Sequence, residues 1–319
     1  MEDKDNTQIV FWTGGFDSTF VVMDCLSKGY KVQPVYIHKN IFYANAEIRN
    51  AIFLANIIVE KYPFGKNLLP LQVVNFKKFD LKDVPAEIQK AWEYVYIDKF
   101  HIKKDDALIK RRGFQYIIFA QLASLFPNAM LGITKGAKIR QLLETEGNLK
   151  YKDKTTGYLT KENCNPYLYT LFGNYQFPII TVYERDMIHI AEKKNFIPVL
   201  QYSKFCYSGM HFKEPCGCCI PCQTKLEYGI YEFFSLEGYA RAKTYEALAK
   251  EKKYYNNIPL SYHFHEYCIA KAKNPNFTSP QLAVFLNLPI GIINDFEKRL
   301  ECITIDENTL KILGKWCFK

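Results

Sequence analysis

Residues 9–19 read IVFWTGGFDST, an apolar run that breaks into two glycines, an aspartate and two hydroxyls. Residues 8–12 have the make-up of a short buried strand. Residues 18–28 place Phe20, Val21, Met23 and Leu26 at helical spacing and stop before Gly29, a favoured residue just past a helix end. A strand that turns through Gly14 and Gly15 directly into a helix opens a βαβ arrangement. The alternation continues, with strands expected at 31–38, 69–76 and 129–133 and helices at 46–61 and 115–126. This order predicts an α/β fold built on a doubly wound parallel sheet.

Beyond residue 145 the pattern changes. Residues 145–176 are polar and tyrosine-rich and read as loops or short pieces over the sheet. Residues 178–182 read as a short extended segment and 183–194 as a helix. Helical spacing returns over 227–253, and 262–319 reads as short helices. Within these, 279–286, a break at 287–289 and 290–300 resemble a helix-turn-helix. Its second helix carries Ile290, Ile292, Ile293, Asp295 and Glu297, not a basic face. A protein partner or a homodimer contact is therefore expected of the C-terminal helices, and nucleic acid is not. The expected division is a nucleotide-type domain at 1–230, cysteine cluster included, and a helical extension at 231–319.

A net charge of +9 suits an anionic ligand. No apolar run approaches the roughly 18 residues a membrane helix needs, and the opening MEDKDN is polar and acidic. A cytoplasmic chain with no membrane association is expected.

At the end of a strand and the start of a helix, the glycines let backbone approach a ligand closely. The helix turns free N–H groups and the positive end of its dipole toward the same place. Thr13, Ser18 and Thr19 add hydroxyls, so the loop suits a pyrophosphate-sized anion. Neither G-x-x-x-x-G-K-[ST] nor G-x-G-x-x-G is present. Asp17 sits badly beside phosphates unless a cation is shared, which points to Mg²⁺ with ATP. The plain alternative is a glycine turn capped by Asp17 or Ser18.

Four of the ten cysteines crowd into 216–222. Cys216, Cys219 and Cys222 are spaced C-x2-C-x2-C, and Cys206 lies upstream. Such spacing lets four thiolates close on one zinc ion with no open position, a structural site. Cys218 falls between the ligands and reads as a bystander able to replace Cys219. The rival readings are an iron–sulfur cluster and unligated thiols. His263, His265 and Cys268 read as helix-surface and packing positions, not as a second metal site.

The stretch TGGFDS resembles the S-G-G-x-D-S loop of the PP-loop ATP pyrophosphatases. Combined with the cysteine spacing, it resembles the 7-cyano-7-deazaguanine synthase (QueC) family of queuosine precursor biosynthesis, over roughly residues 8–230. Phe205-Cys206-Tyr207-Ser208-Gly209 is similar to that family's entry to its zinc site, and Cys216-Gly217 with Pro221-Cys222 to its ending. The resemblance implies that Thr13, Gly14, Gly15, Asp17, Ser18 and Thr19 grip ATP phosphates. It also implies that His38 and Arg112 contact nucleotide. Lys135, Lys138 and Arg140, after the fourth strand, are placed by order to neutralise the departing pyrophosphate. Asp17, Ser18, Lys135 and Arg140 are the expected catalytic group.

The implied reaction adenylylates a small-molecule carboxylate, 7-carboxy-7-deazaguanine, after which ammonia gives an amide and a second ATP drives nitrile formation. The chain departs from the family at 36–45 (YIHKNIFYAN), at 132–141 (GITKGAKIRQ), at Gly113 and in its helical tail. Relatives of the family occur in bacterial antiviral operons. Two further readings stand beside the first: conjugation of the activated carboxylate to a protein or other amine, and a catalytically idle nucleotide-binding subunit.

Overall fold

β1 (Thr7–Phe11) becomes a central strand because Val10 and Phe11 are both buried, one toward each face of a sheet covered on both sides. α1 (Phe16–Ser27) follows, then β2 (Lys31–Lys39), α2 (Ala44–Lys61), β3 (Gln72–Phe76), α3 (Ala86–Glu93), α4 (Phe114–Leu122) and β4 (Ala129–Met130). The computed structural model describes residues 6–39, 44–76, 81–101, 114–206, 208 and 214–316. The chain divides into two compact units, Met1–Ser203 and Lys204–Lys319. The cysteine cluster falls in the second of these units.

The first unit is built on a seven-stranded sheet in the order β3-β2-β1-β4-β7-β6-β5. Its first five strands in that order are parallel, and the last two pair antiparallel. The fold is thus mixed α/β and mostly parallel, as a doubly wound sheet requires, with an antiparallel edge the sequence does not announce. That edge comes from residues expected to be loops. α5 (Lys138–Thr145) leads into β5 (Leu149–Tyr151), β6 (Gly157–Leu159), α6 (Pro166–Phe172) and β7 (Tyr175–Phe177). β7 pairs with β4, whereas residues 178–181 are turns where an extended segment was expected. α7 (Glu184–Lys193) and α8 (Ile197–Leu200) close the unit.

Alternation along β2 shows both faces covered. Val35 and Ile37 join Phe11, Trp92, Ile117, Phe119, Leu168 and Phe172 in one apolar cluster. Tyr36, between them, points the other way and donates a 2.6 Å hydrogen bond to Glu47 of α2. Phe11 stacks on Phe119 of α4 at 4.7 Å between ring centres and meets Phe126 edge-on. Aromatic pairs of this kind add about 0.5–1.5 kcal/mol to the burial itself, so the density of Phe and Tyr here serves the core.

The second unit holds α9 (Ile220–Glu227), α10 (Leu236–Glu251), a two-stranded ribbon of β8 (Tyr254–Tyr255) and β9 (Ile258–Pro259), and α11 (Leu260–Lys273). α12 (Ser279–Leu286), α13 (Ile290–Glu301) and α14 (Glu307–Ile312) complete it. The helical pattern expected over 227–253 is broken at 228–235, where Phe233 and Phe234 turn inward and Ser235 caps α10 by accepting the Gly238 N–H at 3.0 Å. Thr278 and Gln281 form a reciprocal capping box on α12, and Asn287 ends that helix in the left-handed region at φ 53°. α10 packs on α11 and α13, and α12 on α13, around Phe264, Tyr267 and Phe296. No helix among the described residues is long and apolar enough to cross a membrane.

Candidate functional site

The strand-to-helix loop is held by a small set of bonds. The Trp12 N–H donates to the Val35 carbonyl at 2.9 Å, and the buried Trp12 indole donates to Thr19 Oγ1 at 2.9 Å. Thr19 therefore braces the turn from behind, fully buried. Gly14 lies at φ +73°, and a Cβ there would stand 3.0 Å from Asn50 Nδ2 and 3.2 Å from the Ala51 nitrogen of α2. Asn50 in turn donates to the Gly14 carbonyl at 3.1 Å. Positive φ and close approach both demand glycine.

Gly15 is the N-cap of α1 and offers no side chain, and neither Asp17 nor Ser18 caps the helix. Of the plain alternative, the turn is present and the side-chain cap is not. Ser18 Oγ donates to the Gly15 carbonyl at 3.3 Å, and Thr13 Oγ1 accepts the Gly15 N–H at 3.3 Å. Asp17 lies in the first turn, where the helix dipole favours a negative charge. Burial, and then the charge of Asp17, push the Tyr116 hydroxyl of α4 up to about 12.

Topology gives this loop its meaning. The chain runs β1, β2, β3 to one edge and then returns to place β4 on the other side of β1. The order reverses between β1 and β4, and open α/β sheets bind ligands outside the carboxyl ends of strands at such a reversal. Gly132, just past β4, packs directly on the loop: a Cβ there would lie 3.3 Å from the Asp17 carbonyl carbon and the Ser18 nitrogen. His38 sits at the carboxyl end of β2, opposite Asn75 of β3. Its Nδ1 is buried and has no hydrogen-bond partner among the described residues.

Of the cations after β4, Lys135 and Arg140 have partners. The Lys135 N–H donates to the Val182 carbonyl at 2.9 Å, and its ammonium stands 4.5 Å above the Tyr183 ring. Lys138 is exposed at the start of α5, and Arg140 pairs with Glu144 one turn on. Arg112 lies outside the described residues.

The second cluster is closed. The Sγ atoms of Cys206, Cys216, Cys219 and Cys222 all lie within 4.8 Å of one another. Cys216 to Cys222 is 3.9 Å, Cys206 to Cys219 is 3.8 Å and Cys219 to Cys222 is 3.4 Å. A metal–sulfur bond of about 2.3 Å gives a tetrahedron with edges of about 3.8 Å, so the four sulfurs fit around a single ion. An iron–sulfur cluster binds its thiolates through several irons and spreads them farther apart. Cys218 stands outside the group, its Sγ 3.9 Å from the Arg241 carbonyl.

Four thiols this close cannot all ionise without a cation. Hydrogen bonding from Cys206 foremost, then Cys219 and Cys222, holds Cys216 far below the usual thiol range. The hydrogen bond with Cys216 raises Cys206, and burial raises Cys222.

The backbone around the cysteines is locked onto α10. Gly217 lies at φ +81°, and a Cβ there would fall 2.4 Å from the Gly238 carbonyl oxygen. Arg241 Nε donates to the Cys216 carbonyl at 3.0 Å, and its Nη2 lies 2.6 Å from Glu214 Oε1. Gln223 donates to the Gly217 carbonyl at 2.6 Å. His265 of α11 is half-buried, with Nε2 3.1 Å from Ser208 Oγ. His263 is as expected, paired with the Tyr255 carbonyl at 3.1 Å.

Asn50, Gly132, Glu214, Gln223, Arg241 and His265 escape a reading by motif. Glu214 and Gln223 lie within or beside the cysteine stretch, and Asn50, Gly132, Arg241 and His265 come from other elements; of these only the glycine at 132 bears a signal, by following a strand.

No family model matches the chain, and no curated protein matches it.

Proposed function

We propose that the chain is an ATP-dependent, AMP-releasing ligase that activates a carboxylate and passes it to an amine. The observation that carries this is the Thr13–Thr19 turn: a glycine loop at the carboxyl end of the central strand, opening an uncapped helix, at the reversal between β1 and β4. Backbone N–H groups of that turn and the α1 dipole would hold the β- and γ-phosphates. Thr13 and Ser18, already paired across the turn at 3.5 Å, present hydroxyls there. Asp17 would hold Mg²⁺, which supplies charge neutralisation for the departing pyrophosphate.

The substrate carboxylate oxygen attacks the α-phosphorus, the bond to the β-phosphate oxygen breaks and pyrophosphate leaves. An amine then adds to the acyl carbon, loses a proton and expels AMP. With 7-carboxy-7-deazaguanine and ammonia the product is the amide. A second ATP would adenylylate the amide oxygen with release of pyrophosphate, and loss of the two nitrogen protons with expulsion of AMP would give the nitrile. The protein's work is positioning and electrostatics. His38, at the carboxyl end of β2, and Lys135 and Arg140, which follow β4, would add polar and cationic groups there. Cys206, Cys216, Cys219 and Cys222 would hold zinc, which supplies folding energy and no reaction step.

A second reading is favoured by the helical unit of residues 204–319, which exposes Val284 at 83% and Phe285 at 59% on α12. In it the acceptor is a macromolecular amine. AMP and pyrophosphate release from Mg-ATP with 7-carboxy-7-deazaguanine, with and without ammonia, tests both, and product mass separates them. Release should require the carboxylate and disappear in Asp17→Ala. A folded, zinc-loaded protein that releases neither product in any mixture would instead be an idle nucleotide-binding subunit.

A further inference from the structure

α13 lacks a basic face, but the ribbon between α10 and α11 is both basic and aromatic. Residues 250–253 read KEKK, and Tyr254 and Tyr255 follow at once as β8. β8 pairs antiparallel with β9, Tyr254 opposite Pro259 and Tyr255 opposite Ile258. Asn256 and Asn257 join the strands at φ 49° and 61°, the two positive values that a tight hairpin turn needs. A lone two-stranded ribbon is marginal in water, so this one depends on its neighbours. The Leu260 N–H donates to the Lys253 carbonyl at 2.9 Å, and His263 Nε2 of α11 donates to the Tyr255 carbonyl at 3.1 Å. At the base, Arg299 of α13 takes Glu251 through both terminal nitrogens, at 2.5 and 3.2 Å.

What the ribbon presents is flat and cationic. Successive side chains of a strand point to opposite faces, and directly paired residues share a face. Tyr255 and Ile258 therefore lie on one side, where the Tyr255 ring meets His263 at 5.9 Å and His263 meets Tyr262 at 6.5 Å between centres. Tyr254 lies on the other side. Tyr254 is 62% exposed and Tyr262 54%, so neither ring serves a core. The lysines are in excess. Lys250 pairs with Glu246 and Lys253 with Glu251, but Glu246 is shared with Lys243 and Glu251 with Arg299. Lys252, exposed, has no carboxylate partner among the described residues.

An acidic peptide would use the lysines and leave the open rings idle. An apolar peptide would use the rings against the lysines. A single strand of nucleic acid uses both, its phosphates on the cations and its bases on the rings. Asn256 and Asn257, exposed at the tip, offer amides that donate and accept, which suits a 2′-hydroxyl. We infer that the ribbon of residues 250–263 is a docking surface for single-stranded RNA, with bases stacked on Tyr254 and Tyr262 and phosphates held by Lys250, Lys252 and Lys253. It concerns the helical unit alone and stands apart from the ligase reading.

The test is fluorescence anisotropy of a short, unstructured, fluorescein-labelled RNA titrated with full-length protein over a range of salt. Wild type should bind, with an affinity that falls as salt rises. Stacking of one base on one ring is worth about 5- to 150-fold in affinity. Tyr254→Ala and Tyr262→Ala should each weaken binding by a factor in that range. Tyr254→Phe keeps the ring and should bind as wild type does. Lys252→Ala should reduce the slope of log affinity against log salt by about 0.7, the share of one phosphate on a single strand. Lys152→Ala, at an exposed position of the first unit, should leave binding unchanged.

No binding by wild type at low salt would overturn the inference, and so would unchanged affinity in both tyrosine-to-alanine variants. Equal losses in Lys152→Ala and Lys252→Ala would mark a diffuse attraction to net charge and overturn it too. A DNA strand of the same sequence that binds as tightly would refute the choice of RNA. Polyglutamate that displaces the probe as well as unlabelled RNA does would overturn the inference in favour of an acidic protein partner. The substituted side chains are all exposed, and matching far-UV spectra check that each variant is folded.

Discussion

Gly217→Ala isolates how the cysteine loop is seated. At φ +81°, an L residue pays about 1–2 kcal/mol for the left-handed backbone. The added Cβ would lie 2.4 Å from the Gly238 carbonyl oxygen and 2.9 Å from the Ala242 nitrogen, both backbone atoms of α10. Neither can swing aside as a side-chain tip would, so the loop or the helix must shift, at about 1–3 kcal/mol for overpacking. The sum, roughly 2–5 kcal/mol, is a large part of the roughly 5–15 kcal/mol a domain has. It corresponds to about 10–20 °C in the melting temperature of the helical unit.

Gly229→Ala is the control. It has φ +69° but nothing within 4 Å of the new Cβ, so it bears the backbone cost alone. Calorimetry of zinc-loaded wild type and both variants, with metal content measured on each, should show a small shift for Gly229→Ala. Gly217→Ala should show a shift at least twice as large and lose metal. Equal shifts in the two variants would refute the argument that Gly217 is required by its contact with α10.

Other expectations follow from the same geometry. Asn50→Ala leaves the buried Gly14 carbonyl without its donor; the loss should be about 1–3 kcal/mol, read as a lower melting temperature and weaker ATP binding by calorimetric titration. Cys216→Ser should drop metal content by one ion per chain and abolish the calorimetric transition that responds to zinc, while the sheet's transition persists. Thiolates must be deprotonated to bind, so acidification should release the metal before it unfolds the sheet, seen as indicator colour ahead of the change in far-UV signal. The Glu251 carboxyl is held down to about 2 by its hydrogen bond with Arg299 and by Lys253. A depressed carboxylate stabilises above its ordinary value of 4.5, and the benefit is lost as pH falls toward 2. Glu251→Gln should therefore melt lower at neutral pH and match wild type near pH 2.

The parts legible in the sequence were those with long, strongly patterned elements. β1, α1, β2 and α2 appear within two residues of their expected bounds, and α12, the break at Asn287 and α13 appear as read. β5, β6 and β7 were not legible, because strands of three residues such as Gly157–Leu159 hold too few positions to show a period of two. The glycine turn after β1 and the four cysteines were readable as motifs, since each is local. What seats them was not. Asn50 reaches Gly14 across α1 and β2, and Arg241 reaches Cys216 from a helix that follows it. Residues brought together only by tertiary packing leave no spacing to detect.

Carboxylate-dependent exchange of labelled pyrophosphate into ATP, with no amine present, tests the activation of a carboxylate most directly, because exchange reports the adenylate alone. Exchange that requires both Mg²⁺ and 7-carboxy-7-deazaguanine and disappears in Asp17→Ala is the predicted result. A folded chain that binds ATP yet gives no exchange above background, with that carboxylate or with a panel of others, would contradict it.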